Sequence, residues 1–229
     1  MKQVKIVIAI DSFKGSASSL ALGEAARRGV IAIRPDADVA VFPIADGGEG
    51  TMTALAQGLG GTMVEVPTTD LLGQPMTARY LLTGDCAVIE AAEVVGIDKI
   101  TPTPQTFQKA STEGLAALFL DAKRRDVREI VIALGGTGTS DGGLGLLRGL
   151  GATVRSLPDF DGINLAEATR FDGITITALA DVTNPYAGPL GFAKVFAHGN
   201  QHYCDSVCLS QATTPPISPL GIWVVGATT

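Results

Sequence analysis

Stretches of continuous apolar residues alternate, in the first part of the chain, with stretches in which apolar residues recur at helical spacing. The apolar runs at 4–10 and 39–44 are typical of parallel strands that are covered on both faces. Between them, the helical spacing predicts a helix that ends before Pro35, and 51–59 predicts a second helix closed by glycines. This strand–helix alternation predicts a parallel sheet with helices packed on its faces.

From residue 62 onward, shorter strand patterns follow one another through tight turns, which predicts a more antiparallel arrangement. We therefore place a domain boundary near residue 68. The expected organisation is a Rossmann- or flavodoxin-like α/β part at 1–67, a second mixed α/β domain at 68–196 and an atypical tail at 197–229. The further predicted elements are strands at 63–67, 76–82, 87–92, 129–134 and 175–180, a helix at 111–125 and a threonine- and proline-rich link at 101–106.

The composition is that of a globular, acidic protein. Apolar residues make up 46% and charged residues 17% of the 229 residues, so the chain can bury a core. Its formal net charge is −6, and its basic cluster at 123–125 lies near the end of a predicted helix, where cations complement the helix dipole. Nucleic acid and anionic membrane surfaces are therefore not expected as partners.

Cysteine spacing and the N-terminal sequence indicate a cytoplasmic protein. Cys86, Cys204 and Cys208 form no disulfide framework, and together with His198 and His202 they match no zinc pattern. An aspartate ends the first apolar run too early for a secretory signal, and no apolar stretch approaches the ~20 residues of a membrane span. We expect a chain that stays in the cytoplasm.

Three segments that combine glycines with acidic residues follow predicted strands, at 11–16, 45–51 and 135–143. Their sequences are Asp-Ser-Phe-Lys-Gly-Ser, Ala-Asp-Gly-Gly-Glu-Gly-Thr and Gly-Gly-Thr-Gly-Thr-Ser-Asp-Gly-Gly. Glycine lets main-chain N–H groups approach a phosphate closely, and a neighbouring carboxylate can hold the accompanying metal ion. A fourth segment, 181–185, begins with Asp181 at the tip of a predicted strand, where open α/β sheets bind ligands.

One pattern within the longest segment also fits a hydrolase. Residues 138–142, Gly-Thr-Ser-Asp-Gly, satisfy the G-x-S-x-G motif of the nucleophile turn in α/β-hydrolases. Asp181 followed by His198 or His202 would complete the chain order of a catalytic triad. In that fold the serine directly follows its strand, whereas here three loop residues, two of them glycines, lie between the predicted strand end and the motif. A serine hydrolase therefore stays an alternative.

The same segments supply more completely the parts of a phosphoryl-transfer site. Such chemistry needs N–H donors and a lysine around the phosphates, and carboxylates for Mg²⁺ and for the hydroxyl proton. The usual P-loop and dinucleotide-binding signatures are absent, so any nucleotide is bound by a different loop. Lys14 supplies a cation. The candidate phosphate contacts are Gly135, Gly136, Thr137, Gly138, Thr139 and Ser140, and the candidate carboxylates are Asp46, Glu49, Asp141 and Asp181.

In their order along residues 4–196, the four segments resemble those of the bacterial type I glycerate kinases. The resemblance implies ATP- and Mg²⁺-dependent phosphorylation of D-glycerate, usually to 2-phosphoglycerate, in glycerate or glucarate catabolism. It also implies an α/β fold of two domains, a parallel doubly wound sheet with a second mixed α/β domain inserted into it. The active site would lie in the cleft between these domains.

The resemblance further implies roles for individual residues. Lys14 and the loop 135–143 would face phosphates. Asp181 would serve as the base or as a metal carboxylate, and Asp141 and Glu49 as metal ligands. The expected substrate contacts are Asp11, Ser12, Asp46, Gly47, Gly48 and Asn184. The oligomeric state stays open, with a homodimer as one arrangement.

The chain departs from the resemblance in two places. Residues 111–115 replace a threonine-rich Gly-x-Gly helix start, and residues 197–229 carry one charged residue, Asp205, beside both histidines and the single tryptophan. Such a break is typical of a truncated or frame-shifted family member, with a genuine loop and an apolar terminal strand as the alternative. We expect weak or no activity and poor solubility from this chain alone, and a non-catalytic remnant stays a third hypothesis.

Overall fold

The computed structural model describes residues 4–13, 16–45, 47–48, 50–154 and 162–180. Within them the chain is an α/β structure, with three short helices and a small hairpin beyond the elements expected from the sequence. The strands are β1 (Lys5–Ile8), β2 (Asp38–Val41), β3 (Thr62–Thr69), β4 (Pro75–Thr83), β5 (Cys86–Glu90), β6 (Glu129–Ala133), β7 (Thr153–Val154), β8 (Ile163–Asn164) and β9 (Thr175–Leu179). The helices are α1 (Ser19–Ile33), α2 (Thr51–Leu59), α3 (Ala92–Val95), α4 (Pro104–Lys109), α5 (Leu115–Arg124) and α6 (Leu144–Gly149), with a 3₁₀ turn at Ile97–Lys99.

The main sheet of the described residues has five strands in the spatial order β3-β4-β5-β6-β9. β3, β4 and β5 pair antiparallel, as their tight turns predicted, whereas β5, β6 and β9 pair in parallel. The ends of the parallel strands are in register, with Glu90 opposite Ala133 and Ala133 opposite Leu179. Their carboxyl ends therefore form one edge, the place where open α/β sheets bind ligands.

β1 and β2 pair in parallel as a separate two-stranded sheet, as the strand–helix alternation predicted. α1 packs so closely on one face that a Cβ at Gly23 would lie 2.4 Å from Cγ1 of Val41. Val7 and Phe42 alternate with the residues of that face, and they are 67% and 54% exposed. Among the described residues only the α1 face is covered, so the expectation of cover on both faces stays a prediction.

The boundaries of the two long N-terminal helices follow from the residues at their ends. α1 begins after Ser18, whose hydroxyl accepts a hydrogen bond from the N–H of Ala21 at 3.3 Å. α2 occupies the predicted stretch between Gly50 and Gly60, which have positive φ angles of 92° and 73° that favour glycine. No helix in the described part of the chain combines the length and apolar character that a bilayer span requires.

Two helices differ from the prediction. α4 forms inside the stretch expected to be a link, because Thr103 and Thr106 build a capping box in front of a proline at its first turn. α5 begins at Leu115 and not at residue 111, since the residues before it contact the glycine-rich loop described below. Its last turn carries two residues of the basic cluster, which confirms the expected dipole pairing.

The main hydrophobic core lies between the five-stranded sheet and α5. Leu115, Leu118 and Phe119 of α5 are fully buried, as are Ile130 and Ile132 of β6. Each large apolar side chain buried in this way contributes roughly 1.5–3 kcal/mol of transfer free energy. The sheet and α5 therefore form the rigid platform on which the turns at the carboxyl edge are placed.

The expected domain boundary near residue 68 falls inside β3, and α2 packs on β4 and β5 of the main sheet. α2 thereby belongs with the main sheet, although it precedes that residue in the chain. The division into domains at 1–67 and 68–196 stays a prediction. The tail predicted at 197–229 lies outside the described residues.

A hydrogen-bond network joins the buried face of the sheet to α5. The hydroxyl of Tyr80 donates to Oδ2 of Asp121 at 2.9 Å, and Nε of Arg125 donates to the same oxygen at 2.8 Å. Burial, and then the hydrogen bond to Asp121, raises the pKa of Tyr80. Burial alone would also raise the pKa of Asp121, but the hydrogen bonds from Arg125 and Tyr80 outweigh it and lower that pKa.

We predict that Tyr80→Phe lowers the free energy of unfolding by about 1–2 kcal/mol at neutral pH, because it removes a hydrogen bond to a charged acceptor. The tyrosine pKa is higher in the folded than in the unfolded state. Its contribution is therefore complete below about pH 10 and decreases as the pH rises beyond that value. Urea unfolding at several pH values measures both effects, and equal stability of the two proteins at neutral pH would contradict the prediction.

Candidate functional site

Two glycine-bearing turns meet at the carboxyl edge of β5, β6 and β9. The N–H of Gly135, which follows β6, donates to the carbonyl of Gly47 at 3.1 Å. A Cβ at Gly135 would lie 2.6 Å from Cα of Gly48, so a side chain has no room there. The predicted segments 45–51 and 135–143 are therefore in direct main-chain contact, and glycine permits that contact.

The end of β9 completes this edge. The N–H of Leu134 donates to the carbonyl of Leu179 at 3.0 Å, and a Cβ at Gly47 would lie 3.4 Å from Cβ of Leu179. The segment that begins with Asp181 follows directly after this strand in the sequence. Asp181 and Asn184 lie outside the described residues, so their roles stay predictions.

The glycine-rich loop is fastened on its other side to the turn after α3. The N–H of Gly138 donates to the carbonyl of Val95 at 2.7 Å, and the N–H of Ile97 donates to the carbonyl of Gly136 at 2.9 Å. Several N–H groups of the loop are therefore used within the protein. The N–H groups without an acceptor among the described residues belong to Gly136, Thr137, Thr139, Ser140 and Gly142.

The hydroxyl of Thr137 also lacks a hydrogen-bond partner in the described structure, although the residue is only 2% exposed. It lines a cavity of about 10 Å³ together with Thr112, Thr139 and Asp141. Such a volume accommodates about one water molecule or one ligand oxygen. Because a buried polar group without a partner destabilises a fold, this hydroxyl is a donor available to a ligand of the loop.

The carboxylate of Asp141 accepts hydrogen bonds on both oxygens. Oδ1 accepts from the N–H of Gly143 at 3.0 Å, and Oδ2 accepts from the N–H of Thr112 at 2.8 Å and from that of Gly145 at 3.1 Å. Oγ1 of Thr112 lies 3.1 Å from Oδ1 and 2.9 Å from Oδ2, and it donates to the carboxylate. Asp141 therefore joins the loop to the starts of α5 and α6. Its assignment as a metal ligand stays a prediction, while the observed contacts hold the main chain in place.

The corner at 111–115, where the sequence departs from the family pattern, belongs to this junction. Thr112 is 3% exposed, and its Oγ1 also accepts from the N–H of Leu146 at 2.9 Å. A Cβ at Gly145 would lie 2.2 Å from Oγ of Ser111. The departure in sequence therefore coincides with a tight packing contact between α5 and α6.

Glu90 is a site residue that sequence reasoning missed. It is the last residue of β5 and is 6% exposed, and its Oε1 accepts from the N–H of Met52 at 2.5 Å. The signal was present in the sequence, since a carboxylate ends an otherwise apolar strand beside a predicted binding edge. It was overlooked because no glycine accompanies it.

The remaining predicted residues are less closely placed. Asp11 is exposed, and its Oδ1 accepts from the N–H of Ser12 at 2.7 Å; among the described residues this pair has no hydrogen bond to the two glycine-bearing turns. Lys14, Asp46 and Glu49 lie outside the described residues, and their roles stay predictions. In the part of the chain that the structure describes, no group of three or more His, Cys, Asp or Glu side chains is placed to hold a metal ion.

The loop geometry is unlike a hydrolase nucleophile turn. β6 ends at Ala133, and the loop pairs with Val95 and Ile97 before it reaches Ser140. A nucleophile turn would place the serine directly after its strand. His198 and His202, the candidate partners of Ser140, lie outside the described residues. The described geometry therefore disfavours the hydrolase alternative.

We predict that Asp141→Asn and Thr112→Val each lower the free energy of unfolding by about 1–3 kcal/mol, because each leaves buried hydrogen-bonding groups without partners. The double variant should lose less than the sum, since both changes break the same contacts. Urea unfolding of the four proteins gives the coupling, and Asp172→Asn, at an exposed carboxylate, is the control. If the two losses in free energy of unfolding simply add in the double variant, the prediction that Asp141 and Thr112 form one junction is contradicted.

Comparison with known proteins identifies the family. The model of the glycerate kinase family matches residues 6–202. The chain is 33% identical over 208 residues to glycerate kinase of Bacillus subtilis (strain 168) and 32% identical over 210 residues to glycerate 2-kinase of Escherichia coli (strain K12). Each match covers 84% of this chain, and the chain spans about half the length of these curated relatives, 54% and 55%.

A solved structure agrees with these matches. The crystal structure of a protein from Salmonella typhimurium LT2 assigned as glycerate kinase 2 superposes with a TM-score of 0.76 at 33% sequence identity. The superposition covers 92% of this chain and 61% of that chain. The fold therefore agrees with the family match, and this chain belongs to the glycerate kinase family.

Proposed function

We propose that this chain transfers the γ-phosphoryl group of ATP to D-glycerate, with 2-phosphoglycerate rather than 3-phosphoglycerate as the product. The support is its membership of the glycerate kinase family and the names of its relatives, one of which is a glycerate 2-kinase. In this reaction a glycerate hydroxyl oxygen forms a bond to the γ-phosphorus. The bond from that phosphorus to the β–γ bridging oxygen breaks, and the hydroxyl proton passes to a base.

The observation that carries the proposal is the buried hydroxyl of Thr137, which has no hydrogen-bond partner among the described residues, in a loop where several N–H groups also have no acceptor among them. Phosphoryl transfer is catalysed mainly by fixed donors aimed at the charge on the phosphate oxygens. The loop has such donors in a position fixed on both sides, by Gly47 and by Val95. An anion with several oxygens, such as a nucleotide phosphate, suits this arrangement.

The acceptor side of the reaction is assigned to the turn around Gly47 and Gly48, which touches the glycine-rich loop at Gly135. In this proposal D-glycerate binds at that turn with help from Asp46 and Asn184. In the same proposal Asp181, just beyond β9 in the sequence, accepts the hydroxyl proton of the substrate.

The roles proposed for Lys14 and for the metal ligands come from the sequence. Lys14 would pair with the phosphates, and Mg²⁺, when bound, would neutralise part of their charge. Asp141 fits a magnesium site poorly, because both of its oxygens already accept hydrogen bonds from main-chain N–H groups. Glu49 is therefore the better candidate ligand, and no step of the reaction is assigned to the metal.

We expect the purified chain to form ADP slowly and only when D-glycerate is present, with 2-phosphoglycerate identified by ³¹P NMR. Lys14→Ala and Asp181→Asn should each reduce the rate at least about 100-fold, a typical contribution of a group that stabilises transition-state charge, for Lys14, or accepts the proton, for Asp181. Neither turnover nor a nucleotide-induced rise in melting temperature would favour the non-catalytic remnant. Labelling of Ser140 by a serine-directed phosphonate would favour the hydrolase.

We further predict opposite effects of Thr137→Val on the free and the nucleotide-bound protein. Without nucleotide the melting temperature should stay equal or rise, because valine removes an unsatisfied buried hydroxyl at nearly constant volume. The nucleotide-induced rise in melting temperature should decrease, because a donor to the phosphate is lost. Thr139→Val is the matched control for the free protein: its hydroxyl donates to the carbonyl of Ala110 at 3.2 Å, so this variant should be less stable. An unchanged nucleotide-induced shift in Thr137→Val would contradict the phosphate role.

A further inference from the structure

Glu90 is a buried carboxylate. Neither the sequence motifs nor the proposed reaction assigns it a role. It ends β5, whose residues Ala87, Val88 and Ile89 are at most 2% exposed, and it is itself 6% exposed. Moving a carboxylate out of water is unfavourable unless hydrogen-bond donors compensate for the lost hydration. A buried ionisable group at a binding edge therefore requires a physical explanation.

One compensating donor comes from a distant part of the chain. The N–H of Met52 donates to Oε1 of Glu90 at 2.5 Å across 38 residues of sequence. Met52 is the second residue of α2, where N–H groups have no acceptor within the helix and the helix dipole favours negative charge. Glu90 therefore fixes the start of α2 to the carboxyl end of β5.

The turn assigned to the substrate lies directly before this helix start. Gly47 and Gly50 have φ angles of 95° and 92°, and the hydroxyl of Thr51 donates to the carbonyl of Gly48 at 2.8 Å. On one side the turn is held by the hydrogen bond from Gly135, and on the other it continues into the helix start held by Glu90. Both anchors are long-range contacts to the main sheet.

We propose that Glu90 is a positioning residue, which fixes the start of α2 and thereby holds Gly47 and Gly48 against the glycine-rich loop in the geometry that binds the phosphoryl acceptor. This inference rests on the proposed function for its consequence in catalysis. Its structural part, the tie between Glu90 and the N–H of Met52, can be tested independently of turnover. Glu90 acts through the turn and is not assigned to the reacting atoms.

The test compares Glu90→Gln with Glu65→Gln, a matched change at an exposed position of β3. Hydrogen exchange at the amide of Met52 should become about tenfold faster in Glu90→Gln, because the charge-assisted hydrogen bond to the helix start is weakened. The KM for D-glycerate should rise about tenfold, whereas the KM for ATP should change less than about twofold, since the glycine-rich loop keeps its own anchors. Glu65→Gln should leave all three quantities unchanged.

A core variant separates positioning from a general loss of stability. Leu118→Ala, at a fully buried position of α5, should lower the melting temperature without changing the KM for D-glycerate. An unchanged rate of hydrogen exchange at the amide of Met52 in Glu90→Gln would show that Glu90 does not hold the start of α2. If Glu90→Gln raises the KM for D-glycerate and the KM for ATP together, the effect is a general structural one and the positioning role is wrong. The same conclusion follows if Leu118→Ala raises the KM for D-glycerate as much as Glu90→Gln does. If the wild-type chain shows no D-glycerate turnover, the proposed function fails, while the exchange at Met52 still decides whether Glu90 holds the turn.

Discussion

The site depends on one close approach between two main chains, Gly135 on the turn after β6 and Gly48 on the turn before α2. The Cβ that Gly135 lacks would lie 2.6 Å from Cα of Gly48, and the N–H of Gly135 donates to Gly47 at 3.1 Å. This contact exists because the parallel register of β5, β6 and β9 brings their carboxyl ends to one edge. A side chain at Gly135 would push apart the two segments that are assigned to the nucleotide and to the acceptor.

The polar groups at this edge have separate tasks. The carboxylates of Asp141 and Glu90 accept hydrogen bonds from main-chain N–H groups near the starts of α5 and α6 and at the start of α2, so their charge is used to hold the backbone. Among the described residues, the donors left for a ligand are neutral, namely several N–H groups of the loop and the hydroxyl of Thr137. Fixed neutral donors in a water-poor site stabilise developing negative charge without reorganisation. Acidic residues therefore hold the backbone at this edge, whereas the described groups available to a ligand are hydrogen-bond donors.

The sequence predicted the strands of the main sheet and the glycine-bearing segments that follow strands, because apolar runs and glycine turns are local signals. It did not predict the roles of Asp141 and Glu90, since their partners Thr112 and Met52 are 29 and 38 residues away and nothing local marks such contacts. α4 was missed because a proline was taken as the sign of a link, although it also suits the first turn of a helix. Long-range polar contacts are thus the part that tertiary structure alone supplies.

The two sheets support the site unequally. The glycine-rich loop and the start of α2 are anchored to the five-stranded sheet, whose core side chains on β6 and α5 are fully buried. Asp11 and Ser12 extend instead from the two-stranded sheet, where Val7 and Phe42 are largely exposed and little apolar surface is removed from water. The described anchors of the glycine-rich loop, at Gly47 and Val95, therefore lie outside the first segment. In the proposed function, phosphate binding rests on the glycine-rich loop, whereas acceptor phosphorylation also requires the turn before α2 and Asp181.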